Sequence, residues 1–171
     1  MGNLDTKKIA TGGVLLALSI ATLFGATFVP GIELTLYALS SVYVAIIILE
    51  FTVNTGWLFY FASVMLAFII IPNKGALIPY TIFFGIYAMM KYYIESFKKI
   101  SQPVEVLLKL LFFNLMFVLG FIFFGMLFTG AIRIPDLALP IILLLAQVFF
   151  LAYDYILTLM VGFYLKRRPK A

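Results

Sequence analysis

Apolar residues run along the chain in six long stretches, each bounded by charged residues, proline or glycine. Their approximate limits are residues 9–29, 34–51, 55–71, 76–93, 104–128 and 137–165. A helix needs about 20 apolar residues, within a range of about 17–25, to cross a bilayer core of about 30 Å. The pattern therefore predicts an all-α, polytopic integral membrane protein with six transmembrane helices in a single domain, and no soluble domain.

The boundaries between these stretches carry residues that end helices. Pro30 and Gly31 separate the first two stretches, and Pro72 to Gly75 separate the third and fourth. The fifth and sixth stretches exceed the minimum length, which a tilted helix accommodates. The first stretch is too long for a secretory signal peptide and lacks a small-residue cleavage site, so it is predicted to be a span.

Composition supports the membrane assignment and limits the kinds of catalytic and metal-binding site that the chain can contain. The 171 residues are 65% hydrophobic and 11% charged, with no His and no Cys, against about 45–50% apolar and about 25% charged in ordinary soluble domains. Without these side chains, zinc sites, disulfides and His- or Cys-based catalysis are excluded. We therefore expect no cofactor and no metal. The net charge of +5 is interpreted from where the cations lie, and they do not form a nucleic-acid surface.

The positions of the cations predict the orientation in the membrane. Cytoplasmic loops of membrane proteins collect Lys and Arg. In a six-span chain, ten cations fall on the side of the two termini: Lys7, Lys8, Lys91, Lys98, Lys99, Lys109, Lys166, Arg167, Arg168 and Lys170. Only Lys74 and Arg133 fall on the other side. Both termini are therefore predicted to be cytoplasmic.

The first stretch carries four small residues at intervals of four: Gly13, Ala17, Ala21 and Gly25. On a helix they form one stripe, and such a stripe lets a second helix approach closely within a membrane. Two interpretations remain open. The stripe either packs against another helix of this chain, or it docks on a partner membrane protein.

These features resemble the substrate-binding S-components of energy-coupling-factor (ECF) vitamin importers. The resemblance lies in Lys7 and Lys8 before the first span, in Ala17 and Ala21 as an Ala-x-x-x-Ala motif, and in six spans within a short chain. It implies that the first helix docks on a transmembrane coupling subunit driven by two cytoplasmic ATPases. It also implies capture of a small molecule such as a vitamin from the outer side of a bacterial cell membrane.

In that family the ligand lies towards the outer side, between the later helices and under the outward loops. The residues at corresponding places here are Glu33, Tyr37, Asn73, Lys74, Arg133 and Asp136. Arg133 and Asp136 are the stronger candidates, because they are the only charges between the two longest stretches. Solvation, or pairing with each other, would also explain them.

Asp154 lies inside the sixth stretch, about 18 Å along a helix from Lys166 at 1.5 Å per residue. Ionisable groups within a membrane are costly and suggest function. Gln147 and Thr158 share its helix face, and Asn114 in the fifth stretch is the expected polar partner. Interhelical bonding, ligand binding and ion coupling all remain possible roles for this group.

Other classes of protein explain less of the sequence. No P-loop, GxSxG or HExxH pattern occurs, and only one carboxylate is placed deep enough for an aspartyl mechanism, so the chain is not expected to be an enzyme. A stand-alone carrier or channel would be expected to show two repeated halves, which we do not find. The main alternative is a non-catalytic membrane scaffold or assembly protein.

Overall fold

The computed structural model describes residues 2–29, 31–97, 101–129 and 138–167, and it places most of their side chains. Within these ranges the regular structure is helical and no strand occurs. Among the described residues, five stretches are long and apolar enough to cross a membrane: Lys8–Ala26, Glu33–Glu50, Val53–Ile70, Gln102–Gly120 and Ile141–Arg167. The predicted all-helical class, with several helices of spanning length, is confirmed. The count of six spans and the orientation of the termini stay predictions.

The chain divides into two compact units, residues 1–93 with 160–171 and residues 94–159. The helices, in chain order, are α1 (Gly2–Ala26), α2 (Glu33–Glu50), α3 (Val53–Ile70), α4 (Gly85–Ser96), α5 (Gln102–Thr129) and α6 (Ala138–Arg167). The first unit contains α1, α2, α3, most of α4 and the end of α6. The second contains the end of α4, α5 and most of α6.

Short turns join the first three helices, where the sequence carries residues suited to them. Gly31 has a φ of 92°, a left-handed conformation that glycine adopts without a steric penalty. Its N–H donates to the Glu33 side chain at 2.8 Å. Thr52 precedes α3, and its hydroxyl accepts from the Thr55 N–H at 3.3 Å, an N-cap. These contacts explain why α2 and α3 begin where they do.

The fourth predicted span is not one regular helix. It consists of a 3₁₀ turn at Lys74–Leu77, a π-helical turn at Tyr80–Phe84 and then the 12-residue α4. The Gly85 N–H bonds to the Tyr80 carbonyl, five residues back. Two tyrosine hydroxyls satisfy carbonyls of this irregular segment: Tyr37 donates to Ala76 at 2.5 Å and Tyr60 donates to Thr81 at 2.6 Å. Irregular backbone that is shielded from water needs such donors, because an unpaired polar group there costs free energy.

The first unit has a buried interior and an apolar outer surface. Leu23, Val44, Ile47 and Tyr80 are fully or almost fully buried. On α3, by contrast, Leu58, Met65 and Ile69 are 67–76% exposed. Large apolar side chains exposed along a helix of spanning length fit contact with lipid. The apolar stretches therefore contain an inner face and a lipid-facing surface that hydropathy alone does not separate.

Candidate functional site

The small residues of the first stretch lie on an open face of α1. Gly13, Ala17 and Ala21 are exposed and Gly25 is half-buried. The first three line an apolar groove of about 510 Å³, together with Leu16, Ile20 and Phe24 of α1 and Leu66 and Ile70 of α3. We call this surface the α1 groove. It lies within the first unit, between two helices of spanning length.

Little within the described part of the chain packs tightly against the stripe. A Cβ added at Gly13 would meet nothing within 4 Å, and one at Gly25 would reach Leu36 only at 3.7 Å. The buried face of α1 is a different one, which carries Ser19 and Leu23. The small residues therefore do not form a close helix crossing in this structure.

The polar residues predicted on the fifth and sixth stretches meet within the second unit. Asn114 and Gln147 join α5 to α6 through reciprocal amide bonds, with N···O distances of 2.8 and 3.3 Å. Asn114 also donates to the Leu110 carbonyl at 2.8 Å. Beside this pair, the rings of Phe113 and Phe150 stack with centroids 4.7 Å apart. Asn114 therefore bonds to the predicted face of α6, but at Gln147 and not at Asp154.

Asp154 lies further along the contact between α5 and α6, in a cluster of charges around Lys109. The Lys109 ammonium lies 2.6 Å from Glu95, 2.6 Å from Glu105 and 3.4 Å from Asp154. Its side chain is 4% exposed, whereas those of the carboxylates are 16–38% exposed. One buried cation thus joins the end of α4, α5 and α6. A buried ammonium is costly unless it is paired with opposite charges in this way.

Sequence reasoning placed Lys109 among the cytoplasmic cations and missed its pairing with Asp154. The sequence nevertheless contains a pattern that predicts this pairing. In an antiparallel pair of helices, moving from Asn114 back to Lys109 on α5 runs in the same direction as moving from Gln147 forward to Asp154 on α6. The predicted Asn114 contact therefore also brings an opposite pair of charges together, and Glu105 lies one helical turn before Lys109.

The residues predicted on the outward loops of the first unit mostly bond to nearby backbone. Glu33 accepts from Gly31, Tyr37 donates to Ala76, and the Lys74 ammonium donates to the carbonyls of Phe68 and Ile71. Asn73 is exposed. These bonds account for Glu33, Tyr37 and Lys74 without a ligand. Arg133 and Asp136 lie outside the described residues.

The chain was compared with known families, proteins and structures. No protein-family model matches it, and no curated protein or solved structure is significantly similar to it. Function therefore has to be argued from the two features above, the α1 groove and the polar seam between α5 and α6. The first is an unfilled apolar surface. The second is a set of polar side chains that are already paired with one another.

Proposed function

We propose that this chain is the membrane-embedded binding subunit of an importer, similar to an ECF S-component. In this proposal the six-span chain has both termini in the cytoplasm and captures a small molecule, such as a vitamin, from the outer side. A transmembrane coupling subunit with two cytoplasmic ATPases supplies the energy. The observation that carries the proposal is the open small-residue face of α1.

The physical argument concerns what small residues do in lipid. Lipid tails are as apolar as leucine, so helices in a membrane associate through close packing rather than through hydrophobic burial. At a position that faces only lipid, a small side chain gives no packing advantage over a large one. Gly13, Ala17 and Ala21 are small, exposed and aligned along one groove, which fits a surface shaped for another backbone.

In the same proposal the ligand is held by groups of the later helices and their outer loop. Arg133 and Asp136 would contribute charged contacts, and the amides of Asn114 and Gln147 would contribute polar ones. The reciprocal bonds of these amides leave one Gln147 N–H and one lone pair on each amide oxygen available. They can therefore contact a polar ligand while remaining paired.

Enlarging the stripe tests the docking surface. Ala17→Leu and Ala21→Leu are expected to leave the melting temperature of the purified protein unchanged, because the added side chains enter the open α1 groove. Both variants should lose at least nine-tenths of any partner recovered from native membranes with the wild-type chain.

Val118→Leu is the control, since Val118 is 52% exposed on α5 and lies outside the α1 groove. It should retain both stability and partner. If Ala17→Leu or Ala21→Leu instead melts earlier, by the roughly 1–3 kcal/mol of an overpacked contact, the stripe packs inside the chain. Full partner recovery with both variants would also contradict docking through this face.

A further inference from the structure

Three exposed cations of the first unit have no anionic partner within the described part of the chain. Lys8 lies on α1, and Lys166 and Arg167 lie in the last turn of α6. None of the three forms a hydrogen bond or an ion pair with another residue that the structure describes. Lys74 and Lys109, by contrast, both donate to groups of this chain. The three exposed cations are therefore available to an anion from outside the chain.

The contacts of the first unit bring these cations to the same end. A short turn joins α1 to α2, and the hydroxyls of Thr22 and Ser40 bond across the two helices at 2.7 Å, so the helices are antiparallel neighbours. The part of α1 that carries Lys8 therefore lies near the end of α2 at Glu50. The Tyr164 hydroxyl donates to Glu50 at 2.7 Å, which places the last turns of α6 at this end as well. The sequence predicts that this end is the cytoplasmic one.

Arg167 is positioned by an aromatic ring that leaves its donors accessible. The central carbon of its guanidinium lies 4.3 Å from the centroid of the Phe163 ring, one turn earlier on α6. The Phe163 side chain is itself 57% exposed. A guanidinium stacked in this way keeps its N–H donors at the edge of its plane, where they match the geometry of phosphate oxygens. Arg167 is therefore oriented to contact a phosphate group.

The length of α6 places its last turn at the level of the lipid headgroups. The apolar stretch Ile141–Arg167 has 27 residues, which corresponds to about 40 Å of helix at 1.5 Å per residue. This length exceeds the hydrocarbon core of about 30 Å and matches a bilayer with its headgroup regions, about 40–45 Å. Phosphates of the lipids themselves are the anions at this level. Lys and Arg next to a membrane attract the anionic lipids of the adjoining leaflet.

We propose that this end of the first unit binds the headgroup of an anionic phospholipid. The phosphate contacts the edge of the Arg167 guanidinium, and Lys166 and Lys8 add positive charge around it. A zwitterionic lipid has the same phosphate but carries its own cation, so these side chains favour a headgroup with net negative charge. The site goes beyond the proposed function, because it requires neither a transported ligand nor a coupling subunit.

Native mass spectrometry of the purified chain in detergent micelles tests this site. The chain is titrated with phosphatidylglycerol, which is anionic, or with phosphatidylcholine of the same acyl chains, which is zwitterionic. We expect tighter binding of phosphatidylglycerol. The double variant Lys166→Gln/Arg167→Gln should bind phosphatidylglycerol at least about five-fold more weakly, the equivalent of about 1 kcal/mol for one cation near an anionic membrane surface. Its affinity for phosphatidylcholine should not change.

Lys74→Gln is the matched control, because it removes the same charge at a residue whose ammonium already donates to the Ile71 carbonyl. It should keep the wild-type affinity for phosphatidylglycerol. Equal affinities of the wild-type chain for the two lipids would overturn the proposal, and so would an unchanged affinity for phosphatidylglycerol in the double variant. An equal loss in Lys74→Gln would overturn it as well, because net charge and not this end of the unit would then determine binding. None of these results bears on whether a partner docks in the α1 groove.

Discussion

Replacing Lys109 with methionine is expected to lower the free energy of unfolding by about 3–5 kcal/mol, the usual cost of removing one member of a buried ion cluster. The substitution leaves Glu95, Glu105 and Asp154 facing one another without the cation that all three contact. Because Glu95 and Glu105 are partly exposed, we expect the lower half of this range. Denaturant titration in detergent micelles measures the effect.

Lys8→Met is the control for this experiment, since it removes the same charge from an exposed position of α1. Surface substitutions of this kind usually change stability by no more than about 0.5 kcal/mol. If Lys109→Met unfolds at the same denaturant concentration as Lys8→Met, the cluster does not hold α4, α5 and α6 together. Lys109→Arg, which keeps the charge, should recover part of the loss.

Gly85→Ala is expected to destabilise the protein by about 1–3 kcal/mol, as overpacking in a tight interior does. An added Cβ would lie 2.6 Å from two ring carbons of Tyr60 and 3.1 Å from the Tyr80 carbonyl oxygen. The Tyr60 ring has little freedom to move away, because its hydroxyl bonds to Thr81 and the residue is buried. Thermal melting of the purified variant measures the loss.

Gly162→Ala provides the comparison for Gly85, because a Cβ at this helical glycine would meet nothing within 4 Å. In a helix interior, Ala is favoured over Gly by roughly 0.5–1 kcal/mol. Gly162→Ala should therefore melt at the wild-type temperature or above it. Equal melting temperatures for the two variants would show that Tyr60 does not constrain the π-helical turn.

Hydrophobic patterning predicts most helices of this chain because lipid solvates apolar side chains on every face. The predicted stretches 34–51 and 55–71 correspond to α2 at Glu33–Glu50 and α3 at Val53–Ile70. The predicted stretch 76–93 is also apolar, yet only its second half is α-helical. The hydroxyls of Tyr37 and Tyr60 bond to carbonyls of this segment. Both tyrosines come from other helices, so the sequence of the segment itself does not show these bonds.

The polar seam was predictable only in part for a similar reason. Asn114 and Gln147 are conspicuous as isolated amides within apolar stretches, so their pairing could be expected. Lys109 lies near the start of the fifth stretch, where a cation also fits the cytoplasmic boundary. The sequence does not distinguish between a position of Lys109 at the cytoplasmic boundary and a buried position between helices. Its burial follows from three carboxylates on three helices, two of them distant in sequence.

We propose that this chain works as a binding subunit beside a partner in the membrane. Purification of the tagged chain from membranes of its own host, in mild detergent, tests that claim most directly. We predict that one apolar membrane subunit and two ATPases are recovered in fixed stoichiometry, and that Ala21→Leu removes them while Val118→Leu does not. Recovery of the chain alone, or with partners that include no ATPase, would contradict this proposal.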